Sequence, residues 1–277
     1  MSDSAIPEVL TFSSPEHKAK VSCILQEQLV CWTDFPLAQL HELSDGNSLV
    51  LVSWFALHKS GLVSAFGING VQLLAFLQEV QGLYHDNPYH CSMHAADVTQ
   101  GTFSLMFACG LFDSLPPIEA LSLLMSAIVH DIDHPGVNNA FLVNSESPLA
   151  FAYNDTSVLE NHHLVTAFKL MQRSDLQWIS VLSKANKATM RKCIISNILH
   201  TDMALHRSSI QEVKSLPDTC RQQPAAFATW APDHRQVFNQ VSPPPSCLPV
   251  SISFASSLRL LPPSVASFCS PFCTLLT

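Results

Sequence analysis

Leu121-Ser122-Leu123-Leu124-Met125-Ser126-Ala127-Ile128-Val129 runs straight into His130-Asp131-Ile132-Asp133-His134-Pro135-Gly136. The first part carries no charge and needs a buried, helical setting. Pro116-Pro117 suits a helix start and Pro135-Gly136 a stop, so the spacing predicts one helix over Ile118 to His134. At its end come His130, Asp131, Asp133 and His134, side chains that are costly to desolvate unless they pair with one another or with a metal ion. A helix C-terminus carries partial negative charge, which favours a cation there. Adjacent His and Asp offer a nitrogen and an oxygen ligand, and a carboxylate can bridge two metals. The competing reading is a solvent-facing helix end.

On either side the pattern stays helical from about residue 20 to 215. Ser48 to Ser60 is apolar and meets Gly61, a helix with a glycine stop. Val71 to Leu83 repeats Leu73, Leu74, Leu77 and Val80, the spacing of one buried face. His94 to Cys109 continues in that style to Gly110. Ser157-Val158-Leu159-Glu160 matches a capping box opening a helix that ends near Arg173, and Thr189 to about Lys214 reads as one more. There is no glycine-rich phosphate loop and no run of alternating strand residues, which argues against a Rossmann or P-loop fold. The fold class is all-α.

Three further polar clusters interrupt these helices. His90 and His94 are four apart and Asp97 three further on, so one side of a helix can carry all three. Such a pair can share a metal, or one histidine can bind while the other donates a proton; two ordinary core histidines are the alternative. The second cluster is Glu160-Asn161-His162-His163, in which Glu160 doubles as the capping-box residue and either histidine can be an ordinary core group. The third, His200-Thr201-Asp202-Met203, sets a carboxylate inside an apolar helix, where a histidine from another cluster is its natural partner.

The 277 residues carry a net charge of −8, with 13% charged and 47% hydrophobic residues. An acidic balance counts against a nucleic-acid partner, yet a small phosphate substrate is compatible with it where metal cations supply positive charge. Nine scattered cysteines without a Cys-x-x-Cys pair suggest neither a disulfide framework nor a cysteine zinc site. No secretory signal opens the chain, and a cytoplasmic location is expected. From Pro243 onward the only charged side chain is Arg259, and prolines at 249, 262, 263 and 271 exclude a membrane span. The expected organisation is an N-terminal flank (1–20), a helical domain (21–215) and a Pro/Ser-rich, low-charge tail (216–277) that is irregular and not the natural continuation of the domain.

Taken together, these clusters resemble the catalytic domain of the mammalian-type (class I) cyclic nucleotide phosphodiesterases. Tyr84-His85-Asp86-Asn87-Pro88-Tyr89-His90 through Gln100 is similar to the family's Tyr-His-Asn-x-x-His-Ala-x-Asp-x-x-Gln segment. His130 to Asn138 resembles its His-Asp-x-Asp-His-x-Gly-x-x-Asn signature. Tyr153-Asn154-Asp155 with Ser157 to His163, and then Thr201-Asp202-Met203, complete the set in the same order. The likeness runs from roughly Trp54 to about residue 215.

The resemblance implies an all-helical domain with two divalent ions, a zinc and a magnesium or manganese, that hydrolyses cyclic AMP or cyclic GMP to the 5′-monophosphate in cyclic-nucleotide signalling. By matching position, His94, His130 and Asp131 bind zinc and Asp131 bridges to the second ion. His90 protonates the leaving ribose 3′ oxygen and Glu160 orients it. His134, Thr201 and Asp202 contact metal-bound water or stand behind the ligands, as do Asp97 and Asp133. Cys91 departs from the family's asparagine. After Lys214 no segment resembles the family's further zinc-binding aspartate or its purine-gripping glutamine and phenylalanines; Asp218 and Asp233 are the only aspartates left. The chain therefore reads as a domain lacking its last third, with the apolar face of 118–134 expected to lie uncovered. A catalytically inactive isoform that binds or dimerises with a full-length enzyme is the alternative, followed by another His-Asp-type phosphohydrolase. Homo-oligomerisation is left open by the sequence.

Overall fold

The computed structural model describes residues 5–205 and Gln211, and every regular element among them is helical. Helix α1 (Pro15–Cys23) continues as a π-helical turn (Ile24–Gln28) and is followed by α2 (Leu37–Leu43), α3 (Ser48–Lys59), α4 (Leu62–Phe66) and α5 (Gly70–Gly82). Next come α6 (Ser92–Ala108), α7 (Leu111–Ser114), α8 (Pro117–Val129), α9 (Asn139–Asn144) and α10 (Pro148–Ala152). The last two α-helices are α11 (Val158–Gln172) and α12 (Lys184–Leu199), with short 3-10 turns after each.

Helix α8 lies at the centre. Every residue from Ala120 to Val129 is buried, and α8 packs between α6 and α12, while α3 lies against α5 and α6. The uncovered face expected on 118–134 is thus not found over 120–129, where every residue is buried. Its two serines satisfy their hydroxyls locally, Ser122 donating to the Ile118 carbonyl at 2.6 Å and Ser126 to the Ser122 carbonyl at 2.7 Å. Ser126 also accepts from Asn197 at 3.0 Å, which fastens α12 to α8. Buried Gln100 on α6 donates to the carbonyls of Leu29 and Cys31, tying the chain that leaves the π-helical turn to the core.

Helix α8 ends five residues earlier than its sequence pattern predicts, at Val129 instead of His134. The amide of Asp133 donates to the Leu83 carbonyl at 3.1 Å instead of reaching back up the helix, and Asp133 takes a left-handed φ of 60°. Residues 130–134 are released into a turn. The carbonyls left without helical partners are met one by one. Ala127 accepts from His130, Ile128 from the Tyr84 hydroxyl at 3.0 Å, and Ile132 from His163.

Two other boundaries differ from expectation. Helix α12 begins at Lys184, capped by the Ser183 hydroxyl on Asn186 N–H, and ends at Leu199. The capping box at Ser157 does not form: Ser157 has a φ of 41°, its hydroxyl donates to Asp202, and Glu160 accepts from Asn139. A second small core of Leu142, Ala150, Val158 and Leu159 packs α9 and α10 against the start of α11. The tail expected over 216–277, with Asp218 and Asp233, lies outside the described residues.

Candidate metal centre

Three segments deliver the site: the approach to α6, the turn after α8, and α11. His94 lies in the first turn of α6, and His130 and Asp131 come straight off the end of α8. His94 Nε2 and His130 Nε2 are 3.3 Å apart; Asp131 Oδ2 lies 3.4 Å from the first and 3.1 Å from the second. A tetrahedral ion with bonds of about 2.1 Å separates its donors by about 3.4 Å, so this triangle has the dimensions of one face of such a site. Among the described residues it is the one group of His, Cys, Asp and Glu whose donors come close enough together to hold an ion.

The tautomers fit as well. His130 Nδ1 lies 2.9 Å from the Ala127 carbonyl and donates to it, which leaves Nε2 with a lone pair facing His94 and Asp131. Burial opposes charge on His130, but Asp131 outweighs it and raises the imidazole pKa. Burial likewise pushes Asp131 up, yet His130, His94 and His163 hold its carboxyl well below the usual range, so it remains an anionic ligand. His163 Nδ1 donates to the Ile132 carbonyl at 2.7 Å, and its Nε2 stands 3.8 Å from Asp131 Oδ1. Burial lowers the His163 pKa to about 4 and keeps the ring neutral.

His90 stands just before α6, not on it: the helix is capped at Cys91. Its ring lies edge-on to His94, with centroids 5.9 Å apart, and stacks on His134 at 3.9 Å with planes 9° apart. Burial lowers the His90 pKa. Burial first, and then His90, lowers His134 to about 4. His134 Nδ1 accepts the Gly136 N–H at 3.0 Å, so its proton sits on Nε2. One side chain joins the two loops: Asn87 Nδ2 donates to the carbonyls of both His90, at 3.1 Å, and His134, at 2.8 Å. Gly136 makes this possible, because a Cβ there would sit 2.8 Å from Asn87 Oδ1. Nothing in the spacing around Asn87 marks this role; Gly136, two residues after His134, was the available signal in the sequence.

The remaining candidates are placed as follows. Asp97 is on α6, one turn beyond His94, where burial raises its carboxyl pKa against the pull of His94. Asp133 accepts from two histidines, His85 and His162. Glu160 is buried and takes a hydrogen bond from Asn139 Nδ2 at 3.0 Å, with burial raising its pKa. Thr201 donates to the Ile198 carbonyl. Asp202 finds its partners in the Ser157 hydroxyl, at 2.8 Å, and the Ala204 amide, not in a histidine.

Fold and site together define a helical protein with a largely buried His/Asp cluster of a size that could hold a metal ion. The family model for 3′5′-cyclic nucleotide phosphodiesterase matches residues 89–242, and the chain belongs to that family of hydrolases. The match extends beyond residue 215, where the sequence pattern placed the end of the domain. The rat 3′,5′-cyclic-AMP phosphodiesterase 4C is 40% identical over 179 residues, covering 64% of this chain and 33% of that protein. A probable 3′,5′-cyclic-AMP phosphodiesterase of Caenorhabditis elegans is 38% identical over 178 residues, covering 64% of this chain and 26% of its own length. The chain thus spans a third or less of these curated relatives. The crystal structure of the phosphodiesterase domain of Salpingoeca rosetta rhodopsin phosphodiesterase superposes with a TM-score of 0.69 at 29% identity, covering 80% of this chain and 64% of that one. No helix among the described residues is long and apolar enough to cross a membrane.

Proposed function

We propose that the chain carries the metal-binding half of a site that hydrolyses 3′,5′-cyclic nucleotides, cyclic AMP first among them, to 5′-monophosphates. The observation that carries this reading is the triangle of His94 Nε2, His130 Nε2 and Asp131 Oδ2, with edges of 3.1–3.4 Å, beside the His90–His134 stack. The donor set of two imidazoles and a carboxylate suits zinc, and the free oxygen of Asp131 suits a neighbouring magnesium or manganese. Ions held there would supply Lewis acidity at the phosphate and a water of lowered pKa.

The side chains supply the rest. Water attacks phosphorus and releases a proton to solvent, the bond from phosphorus to the ribose 3′ oxygen breaks, and protonated His90 delivers a proton to that departing oxygen and regains one from solvent. Stacking on His134 and the Asn87 bridge hold the His90 ring toward the cluster. Glu160 borders the cluster, its carboxyl feeling Asp202 and Asp131, Asp202 holds the Ser157 hydroxyl just before α11, and Asp97 lies one turn beyond His94; Thr201 would act beside Asp202. The relatives named as cyclic-AMP phosphodiesterases favour cyclic AMP over cyclic GMP.

Hydrolysis of both nucleotides by the purified chain, with zinc and magnesium added, tests this. Turnover of cyclic AMP that disappears in His90→Ala is the expected result. A folded, zinc-loaded chain without turnover would refute the activity and leave a metal-binding fold.

A further inference from the structure

We infer that Asp133 is a positioning residue for the metal centre, clamped between His85 and His162. The inference rests on the reading of His94, His130 and Asp131 as metal ligands. Asp133 Oδ1 accepts from His85 Nε2 at 2.7 Å and Oδ2 accepts from His162 Nε2 at 2.8 Å, so each carboxylate oxygen serves one imidazole. His85 belongs to the segment after α5 and His162 to α11. The Asp133 amide adds a third tie, to the Leu83 carbonyl at 3.1 Å. One residue thus anchors the ligand turn to two separate parts of the fold.

The anchoring bears directly on Asp131. Helix α11 grips the turn at consecutive residues, through His163 to the Ile132 carbonyl and through His162 to the Asp133 carboxylate. Successive side chains in this turn point to different sides: Asp131 toward His94 and His130, Asp133 toward the clamp. Fixing Asp133 therefore fixes the rotation of the turn about its own axis, and with it the direction of the Asp131 carboxylate. The clamp is not itself a metal site: its imidazoles bond the two oxygens directly, and the metal-sized donor group among the described residues is His94, His130 and Asp131. Partners standing behind metal ligands commonly change affinity by about 10–100-fold when removed.

A left-handed φ of 60° offers a simpler reason for Asp133, since Asp and Asn tolerate that region and Gly prefers it. Two substitutions separate the explanations. Asp133→Asn keeps the size and the backbone tolerance but has a single acceptor oxygen for two N–H donors. Asp133→Gly suits the backbone better and removes the clamp entirely. Zinc affinity of the full chain, the visible spectrum of its cobalt-substituted form and its thermal unfolding are measured together.

We expect zinc binding about 10-fold or more weaker in both variants, with an altered cobalt spectrum. Wild-type affinity and spectrum in both would overturn the clamp. Should Asp133→Asn not fold, His85→Ala removes one bond from a side chain 56% exposed, and the same reading applies: weaker zinc supports the clamp, unchanged zinc refutes it. His94→Ala locates the centre independently. If the unsubstituted chain retains no more zinc than His94→Ala, the metal-centre reading falls, and the clamp with it. If it does retain more and the Asp133 and His85 variants match it, the clamp alone falls.

Discussion

Substitution of Gly136 by alanine should destabilise the chain through backbone strain and one side-chain contact. Gly136 has a φ of 80°, a region in which an L residue costs about 1–2 kcal/mol. Its added Cβ would lie 2.8 Å from Asn87 Oδ1, well inside van der Waals contact, so the Asn87 amide must leave. Asn87 then gives up its hydrogen bonds to the His90 and His134 carbonyls, each worth about 0.5–1.5 kcal/mol. The sum is about 2–5 kcal/mol. With a urea slope of about 2 kcal/mol per molar, the midpoint should fall by about 1–2.5 M, read from the fluorescence of buried Trp178. Asn87→Ala supplies the control, because it removes both the bonds and the obstruction. On that background Gly136→Ala should cost only the backbone part, about 1–2 kcal/mol. An equal cost of Gly136→Ala in both backgrounds would refute the contact, and a neutral Gly136→Ala would refute the whole account.

Three other substitutions probe the same framework. Tyr84→Phe leaves the Ile128 carbonyl without its donor at the end of α8 and should cost about 1–3 kcal/mol in equilibrium unfolding. Leu124→Ala opens a cavity at a fully buried position of α8 and should cost about 2–5 kcal/mol, with the larger value if the helix cannot collapse onto the space. Asn197→Ala removes the cross-link to Ser126 and should lower stability by about 1 kcal/mol, measurable as a drop in Tm.

Local spacing made much of this molecule legible. Pro116-Pro117 and the uncharged run behind them place α8 correctly, and Gly61 and Gly110 mark where α3 and α6 stop. His130 and Asp131 are adjacent and draw notice by themselves, but their grouping with His94, 36 residues earlier, came from the resemblance to the phosphodiesterase family and from no local spacing. What failed depends on partners distant in sequence. The Leu83 carbonyl draws Asp133 out of the helix, and nothing near residue 133 announces it. Ser157 and Glu160 have the letters of a capping box, but Asp202 and Asn139 compete for them and win. The short helices α2, α9 and α10 contain too few turns for a hydrophobic period to register.

Two buried carbonyls, Ala127 in the last turn of α8 and Ile132 in the turn beyond it, are closed by histidines of the cluster, His130 and His163. These rings answer to two selections at once. A descendant that had abandoned catalysis would still need them to finish the end of its central helix and the turn beyond, and could keep both for the sake of folding. Retention of these two histidines is therefore weak testimony to activity in any member of the lineage. Loss of His90, whose ring closes no carbonyl among the described residues, is the change that would betray a lapsed enzyme.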